Sequence, residues 1–205
     1  MPPAVLDRVA ELCAERGAWL FSDEVYRELE HDPVDRLPAA CDLYERALSL
    51  GSMSKTYGLP GLRLGWLACR DREALRRILD LKHYTTICSS APSELLSALA
   101  LRHRDGLAGR NRAIVLDNLP RLDAFLERHA DRFSWTRPVA GPIGFVRVHG
   151  LDDTTGLCEQ LVADTGVLLL PGAVYDEPQH VRIGFGRANL PEALERFERW
   201  IDTRS

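Results

Sequence analysis

Apolar residues recur at helical spacing over Val5–Arg16, where Val5, Leu6, Val9, Leu12 and Cys13 share one face and Gly17 supplies the stop. An unbroken apolar run follows at Ala18–Phe21, suited to a buried strand that ends in Ser22-Asp-Glu-Val-Tyr26. Ala47–Leu50 is a second run of this kind and leads into Gly51-Ser-Met-Ser-Lys55. After the turn Gly58-Leu-Pro-Gly61, Arg63–Ala68 is a third. Helix, strand, loop and strand in this order predict an α/β sheet whose strands expect neighbours on both sides.

Asp71 is placed to cap a helix running to about Lys82, with Leu75, Ile78 and Leu79 inward. Pro92 opens another helix, Ser93 to Arg104, since proline is tolerated in a first turn. A long helical stretch covers Asp105–Ala130, and Pro120 is expected to kink or divide it. Beyond it the texture changes. Short strands are expected at Phe133–Thr136, Ile143–Val148, Val167–Leu170 and Val181–Phe185, with helices at Thr154–Asp164 and Pro191–Ile201. Leu194, Phe197 and Ile201 mark the inner face of the last helix. Two domains are read: residues 1–105, and residues 106–205 as an interdomain helix followed by a small α+β domain.

Composition narrows the function. The 205 residues carry a net charge of −4 and a pI near 5.9, which gives no broad basic face for a nucleic acid. No apolar run is long enough for a bilayer, and MPPAVLDRVAEL carries charge where a secretion signal needs its apolar core. A soluble, cytoplasmic protein is expected. Five scattered cysteines without a C-x-x-C pair indicate free thiols, with neither a disulfide framework nor a metal site. The six histidines form no cluster. Only two of the 26 basic residues are lysine, Lys55 and Lys82. Arginine replaces lysine as a surface charge but not as an amine nucleophile, which draws attention to those two positions.

Gly51-Ser-Met-Ser-Lys-Thr56 is not a phosphate loop of the G-x-x-x-x-G-K-[ST] kind: Ser54 stands where the second glycine belongs, and the spacing is one residue short. The longer stretch Ser52-Met-Ser-Lys-Thr-Tyr-Gly-Leu-Pro-Gly-Leu-Arg-Leu-Gly65 resembles the lysine signature of class I/II aminotransferases, enzymes of fold-type I that use pyridoxal phosphate. A small residue precedes Lys55, Gly58 follows three later, and Arg63 stands eight after it. Upstream, Ser22-Asp-Glu-Val-Tyr26 resembles the same family's strand-end motif, and Val181-Arg-Ile-Gly-Phe185 its carboxylate-binding strand.

The resemblance implies a role for each residue. Lys55 would bond the cofactor and then act as base on the substrate α-proton. Asp23 would pair with the cofactor's ring nitrogen, although a turn cap is an equal reading of that residue taken alone. Tyr26 would hydrogen-bond the ring oxygen, with a core aromatic as its alternative. Ser52 and Arg63 would hold the phosphate. Arg182 would clamp the substrate α-carboxylate, with Arg187 as its competitor. The implied fold is the later part of a cofactor-binding large domain, a mainly parallel sheet flanked by helices, followed by the small domain. The implied reaction moves an amino group from an amino acid to a 2-oxo acid, in a homodimer.

The resemblance covers the second half of a complete aminotransferase. The phosphate loop, the ring-stacking aromatic and the Asn-Pro segment of the first half have no counterpart here. A truncated chain is therefore expected, with one sheet edge and one face bare. Two other readings stay open: a lyase or biosynthetic tailoring enzyme using the same cofactor, and a non-catalytic binding module that reuses the fold.

Overall fold

The computed structural model describes residues 1–204, which divide into two units, Met1–Asn111 and the remainder from Arg112. In the first unit, α1 (Pro3–Arg16) begins with proline in its first turn and ends where Gly17 takes a left-handed conformation at φ +62°. Leu6 and Ala10 are its buried residues. Val5 and Leu12, read as inward, are exposed, because only the stripe through Leu6 and Ala10 meets other parts of the unit.

The sheet of this unit has the order β1-β2-β3, with β1 (Leu20–Asp23), β2 (Ala47–Ser52) and β3 (Gly65–Ala68). β1 runs parallel to β2, so its parallel character resides in that pair, while β3 is antiparallel to β2. The short helix α2 (Ala40–Leu43) lies between β1 and β2 in the chain. The apolar run at residues 18–21 does not become a strand buried on both faces. It enters the sheet only at Leu20, and Trp19 and Phe21 are exposed, Phe21 by 57%. The reason is topological: β1 is an edge strand, and nothing in the unit covers the face that carries Phe21.

Helices α3 (Arg72–Thr85) and α4 (Ala91–Arg102) follow. The Asp71 side chain accepts from the Ala74 amide at 2.9 Å, as an N-cap should. No residue of α3 is buried, and Leu79, read as inward, is half exposed. Leu95, Leu96 and Leu99 of α4 are exposed as well.

The long helix α5 (Arg104–Arg128) is continuous, and Pro120 lies inside it without dividing it. Proline removes one ladder bond there, but Val115, Leu119, Leu122, Phe125 and Leu126 on the same stretch are all buried, and that packing holds the helix together. Residues 105 and 106, the sequence-read domain junction, lie in its first turn.

The second unit is a four-stranded antiparallel sheet of order β4-β5-β7-β6, made of β4 (Phe133–Trp135), β5 (Ile143–Val148), β6 (Leu170–Pro171) and β7 (His180–Gly184). Val146, Val148, Val181 and Ile183 point to one face. They join Phe125, Leu161 of α6 (Thr155–Thr165), and Leu194, Phe197 and Ile201 of α7 (Leu190–Asp202) in a single apolar cluster. The strand expected over Val167–Leu170 shrinks to Leu170–Pro171, because the Val167 amide is taken by the Thr165 hydroxyl at 3.1 Å as the chain leaves left-handed Gly166. All five cysteines are free, and no helix among the described residues is long and apolar enough to cross a membrane.

Candidate active site

Strand alternation and register set the first layer of the site. Asp23 is opposite Leu50 and projects to the same face as Leu48, Leu50 and Ser52, while Ser49 and Gly51 face the other way. Asp23 and Ser52 therefore leave the carboxyl ends of two adjacent parallel strands on one side of the sheet, where ligands of α/β sheets bind.

Beyond Asp23 the chain folds back at once. Arg27 donates its amide to the Glu24 carbonyl, Leu29 donates to Tyr26, and Glu28 is driven to φ +78°. A non-glycine residue there costs on the order of 1–3 kcal/mol, which the surrounding contacts must hold. Glu24 points away from Asp23 and anchors the opposite side. Its carboxylate accepts from the Ala40 amide at 2.8 Å and from the Ser49 hydroxyl at 2.7 Å.

The lysine loop is pinned to that turn by Thr56, which is 2% exposed. Its hydroxyl lies 3.0 Å from the Val25 carbonyl and 2.7 Å from that of Arg27, and its amide also donates to Val25. Asn111 donates from Nδ2 to the Thr56 carbonyl at 2.9 Å, and fully buried Met53 bonds Leu64 and Leu59 through its backbone. Gly58 turns the loop at φ +67°, where a Cβ would also strike the Asn111 side chain. These ties bring the Lys55 amine to 5.8 Å from the centre of the Tyr26 ring. The amine itself belongs to an exposed residue.

Arg63 ends the turn Pro60–Leu62 in a left-handed conformation, and the Met53–Leu64 bond sets it beside the end of β2. Its Nη1 donates to the Pro60 carbonyl at 3.0 Å. The Ser52 hydroxyl accepts from the Ser54 amide at 3.3 Å. A cleft of about 220 Å3 opens on the side of the sheet away from Asp23, with Glu24, Ser49, Gly51 and Trp66 on its wall. Tyr57 also lines it; burial first, and then the Glu28 carboxylate, push its phenol above the usual range, so it stays protonated at neutral pH.

The first unit thus gathers Asp23, Tyr26, Ser52, Lys55 and Arg63 around one end of its sheet. Arg182 belongs to the second unit, on β7, with its side chain on the face away from the apolar cluster. Its rival Arg187 follows β7 on an exposed segment that buried Asn118 secures by donating to the Phe185 and Arg187 carbonyls. Sequence reading missed Thr56, Asn111 and Asn118. Each acts on backbone carbonyls far away in the chain, and a small polar residue beside Lys55 was the only local sign of the first.

Thr56→Val keeps the shape and removes the hydroxyl donor. It should destabilise the first unit by about 1 kcal/mol, read as a lower urea midpoint, because the half-buried Arg27 carbonyl loses its hydroxyl donor while the Val25 carbonyl keeps the Thr56 amide.

The sequence matches the aminotransferase class I and II family over residues 1–197. It is 33% identical to capreomycidine synthase of Streptomyces vinaceus, across 95% of this chain and 50% of that protein. A PLP-dependent aminotransferase from Streptococcus suis superposes with a TM-score of 0.92 and 32% identity, covering 99% of this chain and 54% of that one. The PLP-dependent cyclase OrfR superposes with a TM-score of 0.90 and 30% identity, covering 100% and 56%. The chain spans about half the length of the curated relatives it matches.

Proposed function

The chain belongs to the class I and II aminotransferase family, and we propose that it works as, or within, a pyridoxal phosphate-dependent aminotransferase. The first unit then supplies the later part of the cofactor-binding domain, and the second the small domain. One observation carries the reading: Lys55 is held beside Tyr26, at the strand ends from which Asp23 and Ser52 project to a common face.

That donor set suits the cofactor's two ends. Asp23 offers an exposed carboxylate for a protonated ring nitrogen, and Tyr26 a phenol for the ring oxygen. Ser52 and Arg63 offer a hydroxyl and a guanidinium for the phosphate, with Arg63 leaving the Pro60 carbonyl to do so. Pyridoxal phosphate, when bound, supplies an electron-poor ring that accepts the electrons left behind by the substrate's α-proton. The Lys55 amine would hold the cofactor in the resting protein and would serve as the base that takes the substrate's α-proton and returns it. Arg182 orients the amino acid by its carboxylate. Amino acid and 2-oxo acid substrates, a homodimer and a role in amino acid metabolism belong to the same proposal.

A second reading is favoured by the close superposition on a PLP-dependent cyclase. The test is to supply the protein with the cofactor, an amino acid and a 2-oxo acid. Aminotransfer yields a new amino acid and a new oxo acid in equal amounts, without free ammonia. Ammonia release or a cyclised product from the amino acid alone would replace the aminotransferase reading with elimination or cyclisation.

A further inference from the structure

We propose that Tyr175 is a positioning residue that holds the Arg182 guanidinium ready for a carboxylate, an inference that rests on Arg182 being the substrate clamp. Arg182 sits on β7, between Phe145 of β5 and Leu170 of β6, with Val181 and Ile183 on either side turned into the apolar cluster. Its Nη1 donates to the Tyr175 hydroxyl. The guanidinium carbon lies 5.9 Å from the centre of the Tyr175 ring.

Tyr175 is itself bracketed. Its ring meets Phe145 edge-on, with centres 5.8 Å apart and an interplanar angle of 86°. Phe145 in turn stacks on His180 at 4.7 Å and 3°. His180 stands two residues before Arg182, on the same face of β7. The backbone enforces the arrangement. Tyr175 closes the 3-10 turn Gly172–Tyr175, Asp176 leaves it at φ +60°, and the Glu177 amide returns to the Gly172 carbonyl at 3.0 Å. A Cβ on Gly172 would strike the carbonyl oxygens of Glu177 and His180, so the turn packs directly on the strand that carries Arg182.

The consequence is directional. With Nη1 engaged by the phenol, the Nε–Nη2 edge of the fork remains for two parallel bonds to a carboxylate. A long, flexible side chain is thereby ordered before the substrate arrives, and less freedom is lost on binding. Tyr175 needs no contact with the substrate to do this.

The test follows the Arg182 Nε–H signal by NMR in the full chain, identified by its absence in Arg182→Lys. Pyruvate is the probe and pyruvamide the uncharged control. In the wild type, pyruvate shifts this signal and pyruvamide does not. Tyr175→Phe keeps the ring and its contact with Phe145 but removes the acceptor. It should weaken pyruvate binding about three- to tenfold, the value of one hydrogen bond, and speed rotation of the guanidinium while the backbone amide spectrum stays in place. If Tyr175→Phe binds pyruvate as the wild type does while Arg182 still responds, the positioning role is overturned and the clamp reading stands. If pyruvate leaves the wild-type Arg182 signal unmoved, the clamp reading falls, and the positioning role with it.

Discussion

Treated with pyridoxal phosphate and then borohydride, the chain takes the reduced cofactor at Lys55 and leaves Lys82 largely unmodified, by roughly tenfold or more if the surrounding groups hold the cofactor in place. Free pyridoxal phosphate reacts with any accessible amine, so preference for one lysine has to come from its neighbours. Lys55 has Tyr26 beside it and the face of Asp23 and Ser52 nearby. The Lys82 amine donates to Thr86 Oγ1 at 2.8 Å on the side of α3 and has no such set around it. Exposure alone also favours Lys55, since Lys82 is half-buried. Asp23→Ala and Ser52→Ala separate the two causes, because neither alters access to the amine. Both should lower capture at Lys55 and leave Lys82 as it was, by peptide mass mapping. Equal labelling of the two lysines, or capture at Lys55 indifferent to Asp23 and Ser52, would show that this chain holds no organised cofactor site.

The sequence made some of this legible and concealed the rest for physical reasons. Where an element packs within its own unit, its apolar spacing reports its burial directly: Leu194, Phe197 and Ile201 of α7 all lie in the apolar cluster. Val5, Leu12, Phe21 and Leu79 carry the same kind of signal, yet they are exposed. An apolar pattern records the surface a residue is suited to meet, not whether that surface is present. Pro120 was expected to kink or divide a helix that the packing around Phe125 keeps undivided. For the candidate site, Asp23, Tyr26, Ser52, Lys55 and Arg63 of the first unit and Arg182 of the second were singled out from short motifs. The ties that bring Lys55 to Tyr26 were not, since Thr56 bonds carbonyls 31 and 29 residues away and no local spacing encodes that. The tie from Tyr175 to Arg182 escaped for the same reason: no local spacing encodes it, and only the fold returns the Tyr175 hydroxyl to Arg182.

The uneven distribution of apolar packing leads to a large difference between two phenylalanines. Phe125→Ala should cost about 3–5 kcal/mol, whereas Phe21→Ala should stay within about 0.5 kcal/mol. Phe125 is fully buried in a cluster drawn wholly from residues Val115 to Ile201, with ring centres 5.2 Å from Phe197 and 6.1 Å from Phe133. Removing it leaves a cavity that neighbours on α7 and β4 cannot collapse to fill. Phe21 lies open on an edge strand, in a unit that also exposes Trp19, Leu95, Leu96 and, at 91%, Tyr84. Its loss removes exposed apolar surface rather than core, so the variant should bind less of a hydrophobic dye while keeping its stability. Urea unfolding followed separately in the two units reads both effects, because a chain with one closed core and one open sheet need not unfold in a single step. The first unit should melt at lower urea and be indifferent to Phe125, and the second should shift strongly with Phe125→Ala and ignore Phe21→Ala. A single transition that moves equally for both substitutions would mean that the two units share one cooperative core, contrary to the confinement of the apolar cluster to the second.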